Sequence, residues 1–305
     1  MSRAAGTRRP PGTTLALVLA SNLPDIDIVL QARSDAAYLL FHRGLTHSLI
    51  GLVVLPLVLA AGLWWGYGGR TRLSWMVLLC GCGVALHLVY DLTTSWGTML
   101  LYPFSPRRYA LDWLFIVDFV TWAVPIVVLV VSRARPARAR AAVVAGMLAL
   151  LAYGTAAGVI HRSAIDEIVG AEAARAVGEA VVFPRFGAPL RWQGVVVATA
   201  GADESGIGIY EVRGIPPEPV LAGRVDRTFD DPWVAAALAS RAGQAYLWWA
   251  RVPVATVARE GDDVTVTLRD LRYSRTLVPT AESWAPFDIR FRFDARTRKL
   301  IEVKW

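Results

Sequence analysis

Cysteine is almost absent from the 305 residues: Cys80 and Cys82 both lie inside one apolar run. No disulfide framework can therefore stabilise the more polar second half, and the redox compartment is left open. Charge is scarce as well, at 19% Asp, Glu, Lys and Arg, while 55% of residues are hydrophobic. Soluble domains average roughly 25% charged and 45–50% apolar residues, so a membrane class is favoured over an ordinary soluble fold. A small-residue cleavage site is also missing. The first apolar stretch runs into Pro24-Asp25-Ile26-Asp27, so no cleavable signal peptide is expected. The net charge is +7, but the arginines before His161 sit in short loops between apolar runs and form no basic stripe. Nucleic acid is therefore not an expected partner, and membrane orientation accounts for these charges better.

Long apolar runs are present, and nearly all of them precede His161. A spanning helix needs about 20 mostly apolar residues, and residues 45–67, 73–90, 113–131 and 141–160 each come close. Residues 13–30 make a weaker fifth span, interrupted by Asp25 and Asp27, with Pro24 favouring a break near its end. Arg3, Arg8 and Arg9, then Arg70 and Arg72, then Arg133, Arg135, Arg138 and Arg140 fall on one side if the five spans alternate. Cytoplasmic loops collect Lys and Arg, so that side is the cytoplasm and everything after His161 is extracytoplasmic.

The fold class that follows is a membrane α-helical bundle of about five spanning helices, then a small α+β extracytoplasmic domain. Its expected parts are residues 1–160, a helical connector and linker at 161–189, and an α+β domain at 190–305. Phe183-Pro184-Arg185-Phe186-Gly187-Ala188-Pro189 reads as a linker marking the boundary. Beyond it, residues 192–198, 208–212, 252–258, 264–268, 287–293 and 300–303 have strand character, and 231–249 reads as a helix. Its tryptophans, Trp192, Trp233, Trp248, Trp249, Trp284 and Trp305, suit core packing better than a ligand surface. That half shows no catalytic constellation.

Four polar clusters interrupt the apolar half. Asp25 and Asp27 end the first helix, where two carboxylates are costly unless solvated, paired or bound to a cation; a simple helix-ending turn is the plain alternative. His42-Arg43-Gly44-Leu45-Thr46-His47-Ser48 opens the second span with two of the four histidines. Their spacing of five is off one helix face, so His42 is expected on a loop and His47 in the first turn, approaching one ion from two directions. His87 and Asp91 are four apart on the third span, on one helix face, suited to binding an ion together or to a structural His–Asp bond between helices. Arg107 and Arg108 lie on the outer side against the positive-inside trend, which suggests that they hold an anion such as phosphate, or else lipid headgroups. Asp118, about two turns into the fourth span, needs a partner: Arg108, His87 or the ion. His161 is expected at the interface and not as a ligand, and the Cys80-Gly81-Cys82 run serves helix packing. Together the clusters bring at least three His and three Asp to one membrane face, a mixed N/O set suited to a hydrolytic metal.

The segments 22–27, 42–48, 87–91 with Gly97, and Pro103-Phe104-Ser105 resemble the bacterial inner-membrane family named for YbcI and YdjM, whose members are described as membrane-bound metal-dependent hydrolases. The resemblance covers roughly residues 15–122, and its His-Arg-Gly-x-Thr-His-Ser element is specific. The Arg191-Trp192 region also looks like the extra domain of longer members. By analogy it implies a fold related to zinc-dependent phospholipase C, and phosphoester hydrolysis, although fold analogy alone does not define a substrate. It also implies a further apolar helix with a histidine ahead of the basic turn Arg8-Arg9-Pro10, where this sequence begins.

The leading expectation is a metal-dependent hydrolase with a divalent cation, zinc foremost, acting on an anionic phosphoester, a lipid headgroup among the options, at the outer face of the inner membrane. Asp25, Asp27, His42, His47, His87 and Asp91 would be ligands or base, and Arg43, Arg107 and Arg108 would hold the anion. Membrane lipids are the other expected partners, and protein partners are left open. The rival is a non-enzymatic membrane protein with a structural His/Asp cluster and a partner-binding C-terminal domain.

Overall fold

The computed structural model describes residues 10–172, 177–198, 206–280, 283 and 285–305; Arg3, Arg8, Arg9 and Trp284 lie outside the described residues. The chain packs as two compact units, one ending at Ala110 and one beginning at Leu111.

The first unit is helical. Helix α1 (Thr13–Ala20) bends by 45° into a 3-10 stretch, Leu23–Ala32, with Pro24 at its start, and helix α2 (Asp35–Phe41) follows. A 3-10 turn, Leu45–His47, leads into α3 (Leu49–Gly66), which is followed by α4 (Leu73–Thr93). Ser48 caps α3 by accepting a bond from the Gly51 amide, and Gly68 and Gly69, both at positive φ, reverse the chain into α4. At 1.5 Å per residue these two helices are about 27 and about 32 Å long, matched to a hydrocarbon core of about 30 Å. Small residues let the helices approach closely: a Cβ on Gly83 would come within 2.7 Å of the Ala20 Cβ. Cys80 is buried with Ala16, Ala20, Ala60 and Met76, whereas Cys82 is exposed, in keeping with a packing role for that run.

The second unit opens with α5 (Phe119–Ala134) and α6 (Ala139–Ala171). The expected span at 113–131 starts late because Asp118 caps α5 from outside, which leaves a helix of 16 residues. Among the described residues three helices, α3, α4 and one enclosing α6, are long and apolar enough to cross a membrane, or four if α1 and its bent continuation count as one span. Five full spans are therefore not found.

Two antiparallel sheets follow. The first is a meander of β1 (Val177–Arg185), β2 (Ala188–Ala198), β3 (Ile207–Arg213) and β4 (Glu218–Val225). Helices α7 (Pro232–Ala239) and α8 (Arg241–Trp249) lead to the second meander, β5 (Pro253–Glu260), β6 (Asp263–Asp270), β7 (Ile289–Asp294) and β8 (Leu300–Lys304). Alternation on β7 puts Ile289, Phe291 and Phe293 inward and Arg290 and Arg292 outward. The expected linker at 183–189 is instead the end of β1, a turn and the start of β2, because Gly187 at positive φ closes a hairpin. The stretch 231–249 is two helices, since Ser240 leaves helical geometry to cap the second. Trp192, Trp233 and Trp249 are buried as expected, while Trp248 and Trp305 are exposed.

Candidate metal centre

Because α3 and α4 form a hairpin, the start of α3 and the end of α4 lie together at the end opposite Arg70 and Arg72. Asp25 and Asp27 reach this end on the 3-10 stretch after Pro24, His42 follows the last residue of α2, and His47 closes the turn before α3. His87 and Asp91 share one face of α4, as their spacing requires.

Four side chains converge tightly. His47 Nε2 lies 3.2 Å from His87 Nε2, 3.3 Å from Asp25 Oδ1 and 3.2 Å from Asp91 Oδ2. His87 Nε2 lies 3.3 Å from Asp91 Oδ2 and 3.6 Å from Asp25 Oδ1. The far side of each ring faces acceptors. His87 Nδ1 donates to the Ser21 carbonyl at 2.8 Å, and His47 Nδ1 faces Thr46 Oγ1 at 3.0 Å and Asp27 Oδ2 at 3.3 Å. Since Thr46 donates its own proton to Asp27, its oxygen is free to accept from His47. In the neutral rings this assigns the proton to Nδ1 and directs both Nε2 lone pairs into the cluster. Asp91 Oδ2, though buried, receives no hydrogen bond.

The remaining expected ligands stand one layer back. His42 Nδ1 is bonded to Asp27 Oδ1 at 2.7 Å, and its ring stacks on Tyr38 at 4.4 Å with Trp96 edge-on at 5.5 Å. The other Asp27 oxygen accepts from the Arg43 amide and Thr46. Two overlapping groups could hold a metal ion: Asp25, His47, His87 and Asp91, and Asp25, Asp27 and His42. His42 and His47 thus do not approach one ion as a pair; His42 clamps Asp27, which in turn orients His47.

The arginines differ from expectation. Arg43 is buried, with Nη2 2.9 Å from Asp91 Oδ1 and Nη1 donating to Thr94 and the Asp91 carbonyl. Its side chain is thus engaged with Asp91 and Thr94 and closed to solvent. Arg108 donates to the carbonyls of Leu39, Leu40, His42 and Gly97 at 2.8–3.4 Å, tying the end of α2, where carbonyls lack helical partners, to the loop after α4. Arg107 alone of the three is exposed, its guanidinium 5.4 Å from the Tyr109 ring centre. Asp118 is not part of this cluster: it caps α5 and accepts from Tyr153 at 2.6 Å. His161 donates to the Val182 carbonyl at 3.0 Å and so packs against β1, both within the second unit. Sequence reasoning assigned no role to Ser21, Tyr38, Thr46, Thr94 or Trp96; only Thr46, inside the His-rich motif, carried a signal.

Asp25, Asp27 and Asp91 carry three negative charges and Arg43 one positive, leaving −2 when the imidazoles are neutral. Burial disfavours the charged form of His47, but the carboxylates of Asp25, Asp27 and Asp91 outweigh it and push its pKa up to about 10. The cluster thus attracts protons or a dication, and competition between them is built in.

A family model described as YdjM inner membrane protein matches residues 1–164. The uncharacterized protein YfhP of Bacillus subtilis (strain 168) is 34% identical over 98 residues, covering 32% of this chain and 29% of that protein. The inner membrane protein YbcI of Escherichia coli (strain K12) is 33% identical over 109 residues, covering 34% of this chain and 61% of that protein. The chain thus spans less than two thirds of either relative's length. No solved structure matches it.

Proposed function

The chain belongs to the YdjM inner membrane protein family, and from that premise we propose that it is a metal-dependent hydrolase whose His/Asp cluster holds one divalent cation, zinc foremost. The carrying observation is the spacing of the four lone-pair atoms. Zinc bonds of about 2.0–2.1 Å to N and O imply, for a tetrahedron, ligand-to-ligand edges of about 3.3–3.4 Å. The five separations among His47, His87, Asp25 and Asp91 given above run from 3.2 to 3.6 Å. The unbonded Asp91 Oδ2, the −2 charge and the outward-facing Nδ1 partners support the same reading.

When bound, the cation would supply Lewis acidity to a phosphoryl or carbonyl oxygen and lower the pKa of a water. His47, His87 and Asp91 would hold it from the buried side. Asp25, whose side chain is 51% exposed, stands at the open side, either as fourth ligand or as the base that takes a proton from water. Arg43 fixes Asp91, and the His42–Asp27 pair fixes the His47 tautomer. Arg107 is the side chain left to meet an anionic phosphoester.

The site lies at the end of the α3–α4 hairpin away from Arg70 and Arg72, which supports an extracytoplasmic face for the site; an extracytoplasmic C-terminal domain requires in addition that the shorter α5 cross the membrane as α6 does. Metal analysis of the purified protein beside His47→Ala tests the proposal. Stoichiometric metal in the wild type, lost in the variant, is the expected result. No metal after careful purification, with no change on chelation, favours the non-enzymatic alternative.

A further inference from the structure

Phe186 stands at the apex of the β1–β2 hairpin and is 65% exposed. Hairpin tips that face water favour Gly, Asn and Asp, so a phenylalanine there calls for a physical reason. Its ring meets Phe115 edge to face at 5.4 Å, and Gly187 lies against Phe119, the first residue of α5. Phe119 and, one turn on, Trp122 are themselves well exposed. These aromatic residues make one apolar patch at the Asp118 end of the helix.

Contacts inside the second unit give the depth of that patch. The hairpin runs beside α6: Gly194 meets Ile168, Trp192 lies 6.0 Å from the His161 ring, and His161 bonds Val182. Moving down α6 from Ile168 therefore means moving toward the apex. The apex itself meets Phe115 and Phe119, on either side of Asp118, whose carboxylate caps α5 and accepts from Tyr153 on α6. The apex is level with the end of an apolar helix and beside the uncharged stretch 141–160, beyond which Arg162 is the first formal charge.

Helix α5 is short for a membrane span. Its 16 residues span about 24 Å, roughly 6 Å short of a hydrocarbon core of about 30 Å. The patch adds apolar height at the deficient end. Behind the apex, Arg185, Arg191 and Arg213 lie within electrostatic reach of one another and of Glu211, which pairs with Arg213. Three cations to one carboxylate leave a net positive charge, which suits a layer of anionic headgroups.

We propose that the hairpin apex at Phe186, with Phe115, Phe119 and Trp122, inserts into the interfacial layer of the bilayer and seats the β-rich domain on the membrane. A lipid surface fits better than a protein partner, because the patch continues the apolar face of a membrane helix, is aromatic at the boundary level and has cations set behind it. Only the apex enters. β1 is an edge strand, and its unpaired backbone groups must stay hydrated or covered by protein.

The test is nitroxide labelling of Phe186→Cys in full-length protein carrying Cys80→Ala and Cys82→Ala, reconstituted in lipid vesicles. Collision rates with oxygen and with a water-soluble nickel chelate are compared with two standards, Leu129→Cys on α5 and Thr297→Cys in an exposed turn. The oxygen-to-nickel ratio at 186 should be several-fold above that at 297 and approach that at 129. A ratio like that at 297 overturns the proposal. Low accessibility to both reagents, or spin–spin broadening, would mean that a protein partner or a second copy covers the apex, and overturns it as well. If Phe186→Cys does not fold, Val117→Cys samples the same patch: an oxygen-biased ratio there supports insertion and a water-like ratio refutes it. None of these substitutions touches the His/Asp cluster, so the result is independent of the metal reading.

Discussion

His47 and His87 face each other through their Nε2 atoms at 3.2 Å, while each Nδ1 is turned to an acceptor on the opposite side. Two imidazoles held this way, with carboxylate oxygens of Asp25 and Asp91 filling the same space, concentrate lone pairs where an isolated core would avoid them. A proton or a metal cation relieves that crowding, so the two compete for the same atoms.

His87→Ala removes a proposed ligand, whereas Asp27→Asn removes only the group that orients His47. The first should abolish stoichiometric metal binding. The second should retain metal and weaken affinity by about 10–100-fold, the usual effect of losing an orienting partner. Competition against a chelator of known affinity measures both, and equal loss in the two variants would show Asp27 to be a ligand.

Protons and metal compete for His47. With its pKa raised to about 10 by three carboxylates, the metal-free ring is charged at neutral pH and must lose a proton when a cation binds. Apparent affinity should therefore rise with pH, by about tenfold per unit for each proton released, and fall as the medium is acidified. Calorimetry in buffers of different ionisation heat counts the protons; a count of zero at pH 7 contradicts this account.

Arg107 and Arg108 should fail differently. Arg108→Gln breaks charge-assisted bonds to four carbonyls and should cost about 2–4 kcal/mol, seen as a lower Tm in detergent. Arg107→Gln should leave Tm unchanged and weaken turnover of anionic phosphodiesters. Full activity of Arg107→Gln on every such substrate would leave the anion without a visible contact.

Asp118→Ala tests whether that carboxylate is a cap or a ligand. Loss of its bonds to the Val120 and Thr121 amides should cost about 0.5–2 kcal/mol and leave metal content at the wild-type level. A fall in bound metal would bring Asp118 into the site.

A reporter active only outside the cytoplasm, fused after Trp305, should be active if the arginine-bearing turns are cytoplasmic. Activity of a cytoplasm-only reporter at that position would reverse the proposed orientation of the C-terminal domain.

By itself the sequence determined the membrane character, because several runs of about 20 mostly apolar residues match the thickness of a bilayer core, and it determined which residue types carry the chemistry. The spacing of His87 and Asp91 placed both on one face of α4, since helical periodicity is local. Six of the expected strands were legible from alternation, but β1 and β4 were not: β1 carries Glu179 and Pro184 and was masked by a linker-like turn, and β4 lacks a clean apolar alternation. Local pattern also placed Asp118 two turns inside a helix, whereas its bonds to the following amides make it the helix start.

Only the tertiary structure decided which polar residues touch. His42 and His47 are neighbours in one motif, yet His42 Nδ1 turns to Asp27 and His47 Nε2 turns to His87, 40 residues away. Arg43 and Arg108 looked like anion contacts from composition and position, and became ties to Asp91 and to backbone carbonyls once the ends of α2, α3 and α4 were brought together. The reason is directional: residue identity sets what a side chain can donate or accept, but the partner it meets depends on helix packing that places atoms distant in sequence within 3–4 Å.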